Sequence, residues 1–365
     1  MYHKRLIPVA GGVYRPLPVR RYVMKTMGGF WPVLQRLPDG RLGVVTRDGD
    51  FHIGERGRLV FVTSSDGGES WSHDTVISAA GPDNRNPAFG VSADGALIAA
   101  FIKADRYLDG DWSPEKDPGG YTATYVSRSE DGGANWGRGE WMAGQELERW
   151  SGVHDSGPNH PNAYSSPFGK MITLPDGVIV MAHKVKQTSP PTKAATVAIR
   201  SRDGGRSWVE PALIAEGFTE PALCYLGDGR LLAMLRSLRN GEQRLCQSDS
   251  DDMGYTWSTP RPVTDDQEFP GDVIRLQDGR LLLTYGRRVP PFGVQGMLSS
   301  DDGNTWDTDN KLLLVGDVGG RDCGYPSSVQ LDDGTIVTVY DAWSIIDDPR
   351  MGVHGGALLY RPEDL

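Results

Sequence analysis

Glu220 and Arg236 are two residues of this chain whose types and spacing suggest chemistry. In FTEPALCYLGDGRLLAMLRSLR the glutamate precedes one apolar run, the arginine follows the next, and Asp228 and Gly229 lie between the runs. A carboxylate can accept a proton, and a planar guanidinium can bind a carboxylate through two parallel hydrogen bonds. Whether the two charges meet depends on how the chain folds around the Asp-Gly pair.

The Asp-Gly pair recurs in six similar segments. Apolar or alternating β-prone residues flank it each time, which is the pattern of a β-hairpin with an Asp-Gly turn. The six turn aspartates are Asp39, Asp94, Asp176, Asp228, Asp278 and Asp333. A third β-prone run such as RLVFVTS or ATYVSRS follows the hairpin, so each unit of roughly 50 residues predicts a small antiparallel sheet.

A second repeat, S-x-D-x-G-x-x-W, interleaves with the hairpins. It occurs five times, at residues 64–71, 129–136, 201–208, 250–257 and 299–306. The aspartate and glycine suit a tight turn, and the tryptophan can fix that turn against a sheet. Four strands in each of six units predict an all-β fold, a six-bladed β-propeller of four-stranded antiparallel blades, as a single domain over residues 1–365.

The sixth unit lacks the second repeat after its hairpin. We expect GGALLYR, near the C terminus, to be its third strand. We expect GVYRPLPV, near the N terminus, to close the ring, because a closed ring leaves fewer sheet edges unpaired.

Propeller geometry predicts that both ends of each hairpin lie at one rim. Four prolines precede their turn aspartates by seven residues, and the residues before them, nearest the axis, are Trp31, Asn86, Glu220 and Tyr325. The returning strands end at Arg47, Lys103, Lys184, Arg236 and the pair Arg287 and Arg288, and in the sixth unit at Asp341. Cations around a carboxylate and a tyrosine predict a pocket for an anionic group, although strand-end cations are also commonly solvated or paired with neighbours.

The S-x-D-x-G-x-x-W pattern is that of the Asp-box, and the chain resembles the sialidase (neuraminidase) superfamily of Asp-box, or BNR-repeat, propellers over nearly its whole length. Asp-boxes indicate this fold and not one reaction, because non-catalytic propellers carry them too. The resemblance implies a tyrosine nucleophile activated by a glutamate, an aspartate acid/base, and three arginines that bind the substrate carboxylate.

Three segments carry these implied roles onto this chain. YPSSVQLDDGTIVTVYDAW resembles the family's last-blade tyrosine segment and implies Tyr325 as the nucleophile. EPALCYLGDGRLLAMLR resembles its glutamate segment and implies Glu220 and Arg236. LLLTYGRRVPPFG lies where the third arginine is expected, and Arg287 is the better placed of its two arginines.

The first blade departs from the family's pattern. The family has Arg-Ile-Pro there, whereas GGFWPVLQ has Phe30 at the arginine position. Arg85, in DNRNPAFGVSADG, has the same distance to its own turn, and we expect it to reach the same carboxylate from the adjacent blade. We also expect Arg47 to contact the substrate.

The acid/base is expected in the loop TRDGDFHIGERGR, which offers Asp48 and Asp50 beside His52. We predict Asp50 as the acid/base, with Asp83 and Asp109 as alternatives. His52 and Asp83 are also predicted to contact the substrate. The loop GVHDSGPNHPNAYSSP, with His154, His160 and Tyr164, could cover the pocket or be an ordinary surface loop.

Composition and charge indicate which classes of partner the chain is expected to bind. The chain is 38% hydrophobic with net charge −10 and pI near 5.2, so neither nucleic acid nor a membrane is an expected partner. Three widely spaced cysteines and unpaired histidines predict no disulfide framework, metal site or cofactor. No signal-peptide pattern begins the chain, so we expect a cytoplasmic monomer or small homo-oligomer, or a secreted protein if a signal was removed.

The sequence therefore predicts an exo-acting glycoside hydrolase that removes a terminal acidic sugar from a glycan with retention of configuration. Sialic acid or a related ulosonic or uronic acid is the expected sugar. Two alternatives stay open. One is another carbohydrate-active propeller, either an arabinan-type exo-hydrolase or a uronate lyase in which Tyr325 abstracts a proton; the other is a non-catalytic glycan- or protein-binding propeller.

Overall fold

The structure, a computed structural model, describes residues 15–52, 54, 56–79, 83–104, 122–142, 165–186, 194–239, 241–345 and 348–365. Within these ranges the chain forms β-strands and one short 3-10 helix, Pro362–Asp364, and no α-helix. Six sheets follow one another along the chain and form a six-bladed β-propeller, which confirms the predicted fold class.

Two N-terminal strands belong to the last two blades. They are β1 (Arg15–Pro16) and β2 (Arg20–Thr26). The first blade contains β3 (Gly28–Arg36), β4 (Leu42–Asp48), β5 (Arg58–Ser64) and β6 (Thr75–Ser78). The second blade contains β7 (Asp83–Val91), β8 (Leu97–Ala104), β9 (Thr122–Ser129) and β10 (Glu140–Trp141).

The third blade has a broken inner strand. Its first segments are β11 (Ser165–Pro167), β12 (Gly169–Lys170) and β13 (Ile172–Thr173). Strand β12 pairs in parallel with β7, whereas β11 and β13 pair with the next strand of their own blade. The other strands of this blade are β14 (Ile179–Lys186), β15 (Ala194–Ser201) and β16 (Val209–Glu216).

The last three blades are more regular. The fourth contains β17 (Phe218–Gly227), β18 (Arg230–Ser237), β19 (Leu245–Ser250) and β20 (Arg261–Pro262). The fifth contains β21 (Glu268–Arg275), β22 (Leu281–Arg287), β23 (Gly293–Ser299) and β24 (Leu312–Val315). The sixth contains β25 (Gly324–Gln330), β26 (Ile336–Ile345) and β27 (Asp348–Tyr360).

Ring closure differs in part from the expectation. Strand β27 contains most of the GGALLYR segment and is the third strand of the sixth blade, as predicted. Its outer neighbour is β2, not the GVYRPLPV segment, whose strand β1 pairs in parallel with β24 of the fifth blade. Proline has no N–H to donate to a ladder, so a segment containing Pro16 and Pro18 pairs only briefly, whereas β2 has no proline.

The Asp-box turns have the predicted local structure. In the first, Ser64 Oγ donates to Asp66 Oδ1 over 2.8 Å, and the N–H of Ser70 donates to the same oxygen over 2.9 Å. Trp71 Nε1 donates to the carbonyl of Gly68 over 3.1 Å. The serine-to-aspartate bond recurs at 2.8 Å in the other four boxes. These bonds stabilise the carboxylate, and the pKa of Asp66 is lowered to about 2.

The inner strands share a bend that positions the site. The residue before the recurring proline has a left-handed backbone conformation in four blades, with φ of 50° at Trp31, 52° at Asn86, 47° at Glu220 and 44° at Tyr325. The strand pairing shifts register at each of these positions. A bulge of this kind turns a side chain out of the ladder, and a bulky residue in this conformation carries backbone strain.

The strands meet around a buried ion pair on the propeller axis. A cavity of about 20 Å³, enough for one water molecule, is lined by Val33, Pro87, Gly169, Ala222, Gly271 and Ser327, one residue from each of the six units. Lys170 Nζ lies 2.6 Å from Asp272 Oδ2 and donates to the carbonyl of Ser328, whose N–H donates to the same carboxylate oxygen over 2.7 Å. These contacts join the third, fifth and sixth blades.

Candidate active site

A tyrosine and a glutamate form the centre of the site. Tyr325 Oη donates to Glu220 Oε1 over 3.0 Å, and Nη1 of Arg236 lies 2.9 Å from both oxygens of the same carboxylate. Tyr325 and Glu220 are two of the bent residues described above, so the strained backbone directs both side chains toward the axis. The structure thus brings together three residues that the sequence predicted to share a pocket.

Arg288 is the second arginine at this centre. Its guanidinium carbon lies 5.3 Å from the ring centre of Tyr325 and 5.0 Å from that of Phe269. Arg287, which the sequence favoured, is buried and pairs instead with Glu268 at 3.3 Å. Successive residues of an extended chain point to opposite sides, so only one member of the pair can face Tyr325. The structure therefore places Arg288, and not the predicted Arg287, beside Tyr325.

The charges favour an ionised Glu220 beside a neutral Tyr325. Burial acts to raise the pKa of Glu220, but Arg236, Arg288 and the Tyr325 hydroxyl outweigh it and hold that pKa below its usual value. Burial and the negative charge of Glu220 both raise the pKa of Tyr325. The arrangement is a neutral phenol that already donates to a carboxylate able to accept its proton.

Asp50, the predicted acid/base, holds the first-blade loop together. Its carboxylate accepts hydrogen bonds from the N–H of Phe51 at 3.0 Å and of Arg56 at 3.1 Å. Burial acts to raise its pKa, but these bonds and the charge of Arg56 hold the pKa below its usual value. Asp48, an alternative, is buried and pairs with Arg58 at 2.6 Å. Both carboxylates form local contacts within the first blade, and the acid/base role of Asp50 stays a prediction.

Arg47 and Asp83, predicted as substrate contacts, form a buried ion pair. The two side chains are 2.9 Å apart, and both are 0% exposed. Arg47 also donates to the carbonyls of Phe51 at 2.5 Å and Gly54 at 3.2 Å. Neither side chain therefore has exposed surface for a substrate in this structure, and the pair lies beneath the first-blade loop.

Arg85 lies close to the pocket, behind an aromatic ring. Its guanidinium carbon is 4.8 Å from the ring centre of Trp31, and the Trp31 and Tyr325 ring centres are 6.2 Å apart at 72°. Phe30, at the position of the family's first arginine, is buried beside Trp31. Aromatic side chains therefore occupy the space where the resemblance implies a guanidinium.

His52 and Asp322 form a second polar group near Tyr325. His52 Nδ1 lies 2.9 Å from Asp322 Oδ2, and both side chains are 31% exposed. Arg288 Nη1 lies 3.7 Å from the other oxygen of Asp322. The sequence reasoning named His52, and it named Arg288 but preferred Arg287. It missed Asp322 and Phe168, and the Phe168 ring centre is 5.8 Å from that of Tyr325. Asp322 precedes Tyr325 by only three residues, which was the available signal.

Asp341 is a buried carboxyl group at the sixth-blade position where other blades end in cations. Its Oδ2 accepts the N–H of Trp31 over 3.1 Å, and its Oδ1 has no hydrogen-bond partner within the described ranges. Burial raises the pKa of Asp341 to about 8, and the negative charge of Asp322 adds to this shift. This shift favours the protonated form of Asp341 at neutral pH.

Asp341→Asn should stabilise the protein increasingly as the pH rises. A carboxyl whose folded pKa is raised keeps a proton that the unfolded chain loses above about pH 3.9, so wild-type stability falls between that value and about pH 8. The amide variant lacks this loss, which is at most about 1.4 kcal/mol per pH unit. Urea unfolding at pH 5, 7 and 9 tests the expectation, and a pH-independent difference from wild type would contradict it.

The remaining predictions concern the cysteines, metal ligands, membrane-spanning helices and four residues of the longer loops. The three cysteines are buried and unbonded. Within the described ranges, no group of three His, Cys, Asp or Glu side chains could hold a metal ion, and no helix is long and apolar enough to cross a membrane. Asp109, His154, His160 and Tyr164 lie outside the described residues, so the roles suggested for them remain predictions.

The fold and this cluster together define a propeller of the sialidase type, as the resemblance implied. The BNR repeat-like domain matches residues 85–338, and the chain belongs to that family. The chain is 25% identical over 334 residues to a sialidase of Micromonospora viridifaciens, covering 81% of this chain and 48% of that protein. It is 24% identical over 185 residues to a sialidase of Bacteroides fragilis (strain YCH46), covering 48% and 33%. The chain thus spans about half the length of these relatives, or less.

Solved structures share the same fold. A Dyadobacter fermentans DSM 18053 protein of unknown function has a TM-score of 0.75 and 22% identity, over 93% of this chain and 98% of that one. The Hadza microbial sialidase Hz136 has a TM-score of 0.72 and 20% identity, over 98% and 71%. A Trypanosoma rangeli sialidase in complex with sialic acid has a TM-score of 0.68 and 14% identity, over 94% and 59%. At these identities the likeness concerns the propeller fold.

Proposed function

We propose that this protein is an exo-acting glycoside hydrolase that releases a terminal acidic sugar through a covalent intermediate on Tyr325. The observation that carries the proposal is the 3.0 Å hydrogen bond from Tyr325 Oη to Glu220, with Arg236 on the same carboxylate. Glu220 takes the phenolic proton as Tyr325 attacks the anomeric carbon. Two displacements at that carbon retain its configuration. The sialidases among the relatives support a glycosidase of this type.

An acidic sugar is favoured by Arg288. Its Nη2 is buried without a hydrogen-bond partner among the described residues, and its side chain is 10% exposed. Buried guanidinium N–H groups bind carboxylates well, because charge-assisted hydrogen bonds are stronger than neutral ones. A neutral nucleophile such as Tyr325 also avoids repulsion from an anionic substrate.

The aromatic first blade favours an acidic sugar other than the one that three arginines would bind best. With Phe30 at the position of the family's first arginine, charge-assisted hydrogen bonds worth about 1.5–3 kcal/mol each are lost from a three-arginine carboxylate site. Phe30 and Trp31 occupy this part of the first blade instead, and both are buried, with 4% and 3% of the residue exposed. We therefore propose an acidic sugar whose carboxylate is bound by fewer than three arginines.

The site also favours hydrolysis over elimination. A lyase base must begin as a phenolate, and both burial and Glu220 raise the pKa of Tyr325 against that state. A nucleophile that gives its proton to Glu220 during attack begins as the neutral phenol instead. The lyase alternative therefore needs a charge state of Tyr325 that its surroundings disfavour.

A panel of 4-methylumbelliferyl glycosides of acidic and neutral sugars tests the proposal. We expect fluorescence release from an acidic glycoside only, and proton NMR should show the first-formed free sugar with the anomeric configuration of the substrate. The ultraviolet absorbance of an unsaturated uronate should not appear, since only elimination creates that double bond. Glycan binding without any turnover would instead favour the non-catalytic propeller.

A further inference from the structure

We propose that His52, oriented by Asp322, is the proton donor to the leaving group, the role that the sequence suggested for Asp50. The inference rests on the proposed glycosidase function. In that reaction the oxygen that leaves the anomeric carbon needs a proton unless the leaving group is already a stable anion. Asp322 contacts the imidazole and not the substrate, so it is a positioning residue.

The geometry gives the imidazole one fixed and one available nitrogen. Nδ1 of His52 lies 2.9 Å from Asp322 Oδ2, which orients the ring and fixes a proton on Nδ1. Nε2 has no hydrogen-bond partner among the residues that the structure describes, and 31% of the His52 side chain is exposed. A carboxylate, an imidazole and an outward-facing nitrogen in series form the arrangement used by histidine acids and bases.

Aromatic packing sets the distance of the imidazole from the nucleophile. The His52 ring centre lies 5.0 Å from that of Trp31 at 88°, and the Trp31 ring centre lies 6.2 Å from that of Tyr325. Arg288 also links the two groups, because its guanidinium lies near both Asp322 and the Tyr325 ring. A sugar on Tyr325 would therefore have His52 at its side, separated from the phenol by Trp31.

An exposed aromatic pair marks the direction in which the leaving group extends. Phe51, next to His52, is 65% exposed, and Trp343 at the end of β26 is 38% exposed. Their rings are stacked at 9° with centres 6.2 Å apart. Exposed apolar surface beside a polar site is typical of a ligand-binding groove. The rest of a glycan would lie over this pair, where His52 can reach the bridging oxygen.

Asp50 supports the loop that carries His52 and cannot easily replace it. Both of its carboxylate oxygens accept backbone N–H groups of that loop, from Phe51 and Arg56. Arg47 holds the loop from below through carbonyl oxygens, including that of Phe51. These contacts fix the backbone at Phe51 and Arg56, and the His52 imidazole is partly exposed between them.

The proposed steps balance in protons and bonds. As the Tyr325 oxygen bonds to the anomeric carbon, its proton passes to Glu220, the bond to the leaving oxygen breaks, and that oxygen takes the Nε2 proton of protonated His52. Water then attacks the same carbon and gives a proton to the neutral imidazole. The Tyr325 oxygen leaves and regains its proton from Glu220, which restores the enzyme.

The test compares two substrates that share a sugar and differ in leaving group. One carries an activated nitrophenol, which departs without a proton, and the other an alkyl alcohol, which does not. We expect His52→Ala to lose about 10²–10⁴-fold in kcat/KM on the alkyl glycoside and less than about tenfold on the nitrophenyl glycoside. Asp322→Asn should show the same leaving-group dependence with a smaller loss.

Two controls separate this role from alternatives. Asp50→Asn should lower kcat/KM equally on both substrates, because it loosens the loop. His73→Ala, at an exposed histidine after the first Asp-box, should leave kcat/KM unchanged on both. A leaving-group dependence in Asp50→Asn and not in His52→Ala overturns the inference. At a pH where the imidazole is neutral, nitrogen NMR should show the Nδ1–H tautomer of His52 in wild type and its loss in Asp322→Asn, and the other neutral tautomer in wild type would also overturn the inference.

Failure of the proposed function gives a different result. Wild-type protein that turns over no acidic glycoside overturns the glycosidase proposal, and the role of His52 with it. A second result overturns the inference about His52 alone. In it, turnover depends on Tyr325, but His52→Ala keeps the wild-type kcat/KM on the alkyl glycoside.

Discussion

Tyr325→Phe should lower kcat/KM on an acidic aryl glycoside by about 10³-fold or more, with the free energy of unfolding changed by about 1 kcal/mol at most. The change removes only the hydroxyl that donates to Glu220 over 3.0 Å, and Glu220 keeps its two contacts with Arg236. Phenylalanine fills the same space, so the pocket keeps its shape. Initial rates and urea unfolding of the same preparation measure both effects.

Two further variants test whether Tyr325 and Glu220 act together. Glu220→Gln should lose nearly as much activity, and the double variant should lose little more than either, because residues that act together have non-additive effects. Tyr340→Phe is the matched control: it removes a buried sixth-blade hydroxyl that contacts Arg21 at 3.0 Å, and activity should stay within about twofold. Tyr325→Phe with more than a tenth of wild-type activity would contradict the nucleophile assignment.

Lys170→Met should lower the free energy of unfolding by about 3–5 kcal/mol. Lys170 is 7% exposed and lies 2.6 Å from Asp272, so its loss leaves a buried carboxylate without a cation at the propeller axis. The surface variant Arg36→Met, which removes a pair with the exposed Asp332, should cost less than about 1 kcal/mol. Urea unfolding at pH 7 compares the two.

The loss of stability in Lys170→Met should depend on pH. Burial raises the pKa of Asp272 even with Lys170 present, and without the cation that pKa rises further. The folded variant then keeps a proton that the unfolded chain releases above about pH 3.9, so its deficit should grow from pH 5 to pH 8. Lys170→Met combined with Asp272→Leu should recover most of the loss, since a packed apolar pair can replace a buried ion pair. A deficit that is equal in the single and double variants would contradict this account.

Short-range patterns were sufficient to predict the fold and part of the site. The Asp-Gly turns and Asp-boxes repeat at fixed distances from their strands, so they specify the number of blades. The proline seven residues before the turn located Glu220 and Tyr325 at one rim, because a hairpin fixes which residues lie level with each other. The contact between them also needs the closed ring, which brings the inner strands of the fourth and sixth blades together.

The site residues that the sequence did not predict depend on the geometry of single residues, which composition does not encode. Arg287 and Arg288 have the same chemistry, and only the face on which each lies distinguishes them. Asp322 lies in an irregular connection, where no periodicity predicts a direction. Asp50 is a carboxylate in the expected loop, and its oxygens accept hydrogen bonds from the N–H groups of Phe51 and Arg56. Tertiary contacts determine the direction and the partners of each of these side chains.

The bend before the recurring prolines has a consequence for how such proteins diversify. Trp31, Asn86, Glu220 and Tyr325 carry an indole, an amide, a carboxylate and a phenol, yet their φ angles differ by only a few degrees around 50°. The backbone therefore accepts unrelated side chains at these positions without a change in the strands behind them. The chemistry of the pocket can change at one such position without a change at the others, and in the first blade this position carries the indole of Trp31.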